Sequence, residues 1–124
     1  MNAAAPASSS PVDVRCLIRI VAGEKQAMQT LVNFYRHTTT EQLEKLERAV
    51  RSQSPKDVKN LAHSCMGSSS LLGMTAIVPP LRRLEQAGKE RHWVQAGDLL
   101  DQAWRALEHM MSFLNTFQNE GNHV

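Results

Sequence analysis

Apolar positions recur along this chain at helical spacing almost from end to end. Between Glu24 and about Ser52 they fall at Met28, Leu31, Val32, Phe34, Tyr35, Leu43, Leu46 and Val50. That spacing predicts one long amphipathic helix, loosened in its middle by Thr38-Thr39-Thr40. A short helix over about Val12 to Ala22 precedes it, with Gly23 as a suitable stop. Ser54-Pro55-Lys56-Asp57 then combines a serine N-cap, a first-turn proline and a first-turn aspartate, and opens a helix expected to run to Leu72 and end at Gly73. Another is expected over Thr75 to Ala87, closed by Gly88, with Leu81 and Leu84 facing inward; Pro79-Pro80 requires it to begin at Pro79 or to bend there. Trp93, Leu100, Trp104, Leu107, Met111 and Leu114 mark a last helix from about His92 to Phe117.

Alternating apolar and polar runs rich in β-branched residues are missing. The expected fold is all-α: an antiparallel up-down-up-down four-helix bundle with a short additional N-terminal helix. Residues 1–10, small and polar, are expected to form a flexible tail, residues 11–120 the bundle domain, and Gly121 to Val124 a frayed end.

Within the helix that starts at Ser54, projection at about 100° per residue decides which side chains face out. Val58, Leu61, Cys65, Ser69 and Leu72 cluster within about 80° and form the stripe to be buried. His63 lies about 170° from the centre of that stripe and should face solvent, together with Lys56, Lys59, Asn60, Gly67 and Ser70. Gly67 sits one turn beyond the histidine, where a helix interior loses about 1 kcal/mol relative to alanine. What the glycine provides is bare backbone beside an imidazole, and an imidazole nitrogen is a competent nucleophile near neutral pH. A solitary histidine on a wet helical face is ordinarily just surface; the glycine and the small Ser68-Ser69-Ser70 turn set this one apart.

Composition changes this picture little. The chain has 124 residues, 42% hydrophobic and 21% charged, with a net charge of +2, so nothing in it demands nucleic acid or an anionic membrane surface. No apolar run approaches the ~20 residues of a membrane span and the N-terminus lacks a signal-peptide core, so a cytoplasmic location is expected. Cys16 and Cys65 lie in apolar helical patterns and read as buried reduced thiols. No paired-cysteine or His-Glu-x-x-His spacing is present, and no metal site is expected. Glu44, Glu47, Glu85, Asp98, Asp101 and Glu108 read as solvated faces or intrahelical ion pairs.

The run Ala62-His63-Ser64-Cys65-Met66-Gly67-Ser68-Ser69, followed by Leu72-Gly73 and Leu84-Glu85, resembles the histidine-containing phosphotransfer (HPt) domain family. That family's pattern is approximately Ala-His-x-Leu-Lys-Gly-Ser-Ser, then Leu-Gly, then Leu-Glu in the next helix. The similarity extends from about Val12 to Phe117. Two positions depart from the pattern: Cys65 replaces a leucine, and Met66 replaces the lysine that in the family helps hold the phosphoryl group. Lys59, Arg82 and Arg83 are the cations available to take its place.

The resemblance implies a phosphoryl carrier in a multistep two-component phosphorelay. His63 would take the group from an aspartate of one receiver domain, through Nε2, and pass it to an aspartate of another. Lys59, Gly67 and Ser70 would stabilise the phosphoryl group or admit the partner. The partners implied are receiver domains of response regulators or a hybrid sensor histidine kinase, with no nucleic acid and no membrane contact. The carrier would need no cofactor of its own, because Mg²⁺ is expected on the receiver, and no kinase or ATP site; a monomer is expected. The alternative is an adaptor of the same shape that binds a receiver or kinase without accepting phosphate, for which Met66 is the chief argument. A plain helical interaction module, with His63 incidental, is the remaining possibility.

Overall fold

A computed structural model describes residues 10–121. The proposed tail over residues 1–10 lies, Ser10 apart, outside the described residues, as do residues 122–124 of the proposed frayed end. Five α-helices and one short 3₁₀ turn make up the described chain: α1 (Val14–Ile20), α2 (Lys25–Arg51), α3 (Pro55–Leu71), the 3₁₀ turn (Thr75–Ile77), α4 (Val78–Lys89) and α5 (Trp93–Gly121). α2 packs on α3, α3 on α4, α4 on α5, and α5 returns to α2. Among the described residues, no helix is long and apolar enough to cross a membrane.

The ends of the helices follow from local chemistry. Ser54 caps α3, its Oγ accepting from the Asp57 amide at 3.4 Å, with Pro55 in the first turn. α1 is shorter than its apolar pattern and ends through Ala22 and Gly23, both with positive φ (53° and 74°). The threonine triplet does not interrupt α2. Thr38 and Thr40 turn their hydroxyls back onto the carbonyls of Phe34 and Arg36, each at 2.7 Å, and Thr39 is buried.

Around α4, of the two readings offered at Pro79-Pro80 a start at the prolines agrees to within one residue, while the start at Thr75 and the closure at Gly88 fail. The segment that was to start it, Thr75–Ile77, forms the 3₁₀ turn, and the α-helix begins at Val78. Pro79 and Pro80 thus fall in the first turn, where their missing N–H groups would have had no intrahelical partner. Gly88 does not close the helix. It lies inside α4, buried, and the chain turns only after Lys89, with Arg91 at φ 61°.

Gly88 is glycine because α3 passes too close for anything larger. A Cβ at Gly88 would lie 2.6 Å from Cγ1 and 3.0 Å from Cβ of Val58. Gly73 answers two demands at once: its φ is +76°, and a Cβ there would meet the Asp13 carbonyl at 2.7 Å. The Asp13 amide donates to the Gly73 carbonyl at 2.8 Å, which ties the start of α1 to the turn after α3.

The core is aliphatic, built on Leu43, Leu46, Val58, Leu81, Leu84, Met110 and Leu114, all fully buried. One polar contact crosses it. The hydroxyls of Tyr35 on α2 and Ser69 on α3 lie 2.7 Å apart, both buried, with Cys65 close by. Burial pushes the Tyr35 hydroxyl from the usual 10.0 up to about 12, despite the hydrogen bond from Ser69 that lowers it. Burial likewise pushes the Cys65 thiol from 9.0 up to about 11. Cys16 is half-buried, not buried as its pattern suggested, and both thiols are free. Phe34, counted among the inward positions of α2, is 66% exposed.

Two expectations for measurement follow. Gly88→Ala should lower unfolding free energy by about 1 kcal/mol or more in urea titrations, because overpacking against a stiff valine outweighs the alanine's helical gain. At alkaline pH the unfolded chain releases the Cys65 and Tyr35 protons first, while the folded chain retains them. Stability should therefore be intact below pH ~9 and fall as pH climbs toward ~12, by on the order of 2–3 kcal/mol per group. Tyr35→Phe should confine that fall to the lower, thiol part of the range.

Candidate functional site

α3 has its buried side at Val58, Ala62, Cys65 and Ser69, with Leu61 and Leu72 only half-buried. Relative to the sequence projection, the stripe is rotated toward Ala62. That rotation matters for His63, which lies about 130° from the centre of the buried stripe and is turned toward α4. The side chain is still 74% exposed, and its Nδ1 lies 3.6 Å from Oε1 of Glu85. Glu85 keeps only 24% of its own side-chain surface. An imidazole projecting into water is thus steadied from beneath by a half-buried carboxylate on the neighbouring helix.

Glu85 was not among the candidate residues; it had been grouped with the solvated acids. The signal was present in the Leu84-Glu85 pair that closes the family-like pattern. It was also present in helical geometry, since a residue about 100° from the fully buried Leu84 sits at the margin of the apolar stripe. What could not be read from α4 alone was that this margin adjoins α3 at the height of His63.

The other candidates share the exposed face of α3 without touching the imidazole. Lys59, Gly67 and Ser70 are all exposed, and among the described residues no hydrogen bond or ion pair links Lys59 or Ser70 to His63. Gly67 is the informative one. A Cβ built there meets nothing within 4 Å, so no packing inside the chain explains the glycine. Its conformation is ordinary for a helix, and the residue costs stability for no internal return. Gly97 on α5 is equally unencumbered, and nothing in the chain accounts for it. Met66, in contrast, turns inward and packs, half-buried, against the core.

The carboxylate beside Nδ1 favours the proton on that nitrogen. The lone pair then sits on Nε2, across the ring and away from Glu85. Around it the bare Gly67 backbone and the small side chains of Ser68 and Ser70 leave room for a large reactant. Among the described residues, no group of three or more His, Cys, Asp or Glu side chains is placed to hold a metal ion. The arrangement suits an accessible nitrogen nucleophile that borrows the rest of its chemistry from whatever docks on it.

The family model described as Hpt domain matches residues 30–114. Among solved structures, the chain is similar to the crystal structure of histidine-containing phosphotransfer protein B (HptB) from Pseudomonas aeruginosa PAO1. The TM-score is 0.79 at 19% sequence identity, over 90% of this chain and 97% of that one. A search of curated proteins finds no match.

Because nothing within the chain opposes a Cβ at position 67, Gly67→Ala should raise unfolding free energy by about 0.5–1 kcal/mol, read from urea midpoints. This is the opposite sign to Gly88→Ala, although both glycines lie within helices.

Proposed function

The chain belongs to the Hpt domain family, and on that basis we propose that it is a phosphoryl carrier in a phosphorelay, with His63 as the residue that holds the group. The observation that carries this reading is the exposed imidazole whose Nδ1 is backed by Glu85 and whose next turn is a glycine with no internal purpose. Nε2 attacks the phosphorus of a receiver's aspartyl phosphate. The N–P bond forms as the acyl O–P bond breaks, and the electron pair leaves on the aspartate carboxylate. The proton on Nδ1 stays in place, and the Glu85 carboxylate offsets the positive charge that develops on the ring. The return step to a second receiver runs the same bonds in reverse.

Placement does most of the work in such a transfer, and a helix anchored on two sides supplies it. The pairwise packing of α2 through α5 supports the up-down-up-down arrangement, with α1 fastened to the turn after α3. The partners proposed are receiver domains of response regulators or of a hybrid sensor kinase, which bring their own Mg²⁺. A monomeric, cytoplasmic carrier with no ATP site of its own completes the reading. Lys59 and Ser70 serve at the edge of the docking face, and Gly67 lets the receiver's backbone approach. The adaptor alternative rests on Met66, an uncharged side chain that packs half-buried against the core.

Incubation with phosphorylated receivers should give an acid-labile adduct on wild type that is absent from His63→Gln. Gly67→Lys should lower transfer at least tenfold while the chain remains folded. A receiver that docks firmly and leaves no adduct decides for the adaptor.

A further inference from the structure

Met66 packs toward the core, so the charge that the family takes from this position must come from elsewhere in this chain. α3 and α4 run in opposite senses where they meet: going forward along α3 from Val58 to His63 corresponds to going back along α4 from Gly88 to Glu85. Continuing in that direction from Glu85, α4 reaches Arg82, and α3 reaches Met66 and Gly67. Arg82 precedes Glu85 by three residues, hence about 4.5 Å along the axis and about 60° around it, on the same side of the helix. It is exposed and, among the described residues, makes no ion pair. Arg83 is turned a further ~100°, so it points about 160° away from Glu85 and cannot reach across. Lys89 follows Glu85 and lies toward Lys59, on the side of His63 that has no glycine.

We propose that Arg82 is the phosphoryl-binding cation of this protein, standing level with Met66 and contributing from α4 the charge that Met66 does not contribute from α3. This rests on the carrier reading above and adds the residue that neutralises the transferred group. A guanidinium offers two parallel N–H donors to phosphoryl oxygens, where a lysine offers a point charge. Coming from the neighbouring helix, its stem also leaves the face over Gly67 clear for the partner.

The test uses phosphoramidate on the intact chain. Nε2 displaces ammonia from phosphorus, and the His63 signal is identified in ³¹P NMR by its absence from His63→Gln. In wild type, Arg82 holds down the pH at which the bound phosphoryl group takes up its proton. Arg82→Gln should raise that midpoint by roughly half a unit or more. Arg82→Lys should recover part of the shift, and Met66→Lys placed in the Arg82→Gln chain should recover most of it. Arg83→Gln should leave the midpoint where it is. A midpoint indifferent to Arg82, or moved equally by Arg82→Gln and Arg83→Gln, overturns this assignment and leaves the carrier reading intact. A wild-type chain that accepts no phosphoryl group at His63 overturns both.

Discussion

The site depends on how closely two helices approach at Gly88. With no side chain there, α4 settles onto Val58 of α3, and the carboxylate one turn earlier in α4 arrives beside the imidazole one turn and a half further along α3. Any larger residue at that crossing would lift the helices apart. A spacing of 3.6 Å between Nδ1 and Glu85 Oε1 leaves little room for such a change. The apolar core sets the stability of the domain; this one crossing sets the spacing of His63 and Glu85. It also makes intelligible why a buried glycine sits in the last turn of α4 without ending the helix there.

The two helical glycines at 67 and 88 answer opposite needs. One is a contact so tight that only hydrogen fits, the other an opening where nothing inside the protein fits at all. A sequence read one helix at a time cannot separate them, because both break the same propensity rule. On that account Gly88 reads, from sequence, as a helix end. Gly67 reads as open surface because its neighbour on the helical surface is a histidine, a residue with chemistry to offer, and a Cβ there meets nothing within 4 Å.

Most of the fold was legible because the apolar period along α2, α3 and α5 is long and regular, and because Ser54-Pro55 and Gly73 mark their boundaries with clear physical signals. The orientation of His63 was legible for the same reason. What was not legible were relations between helices. Phe34 is not such a case: it lies about 120° from the centre of the buried stripe of α2, so its exposure follows from helical projection alone. Glu85 looked like any other solvated acid until α4 was laid against α3. The cation for the phosphoryl group stayed undecided among Lys59, Arg82 and Arg83 because choosing among them needs the relative sense and height of two helices.

The contact between the Tyr35 and Ser69 hydroxyls has a meaning apart from its energy. An interface of leucine, valine and alanine tolerates sliding by a helical turn, since one aliphatic side chain replaces another with small loss. Two buried hydroxyls do not, because a slide leaves both without partners in a place water does not reach. Either oxygen can be the donor, so the pair selects a position without fixing where its protons lie. Six residues separate Ser69 from His63, about 9 Å along a stiff helix. The pair thus acts as a register pin: it adds to the apolar packing a directional contact that ties the height of the histidine on α3 to α2.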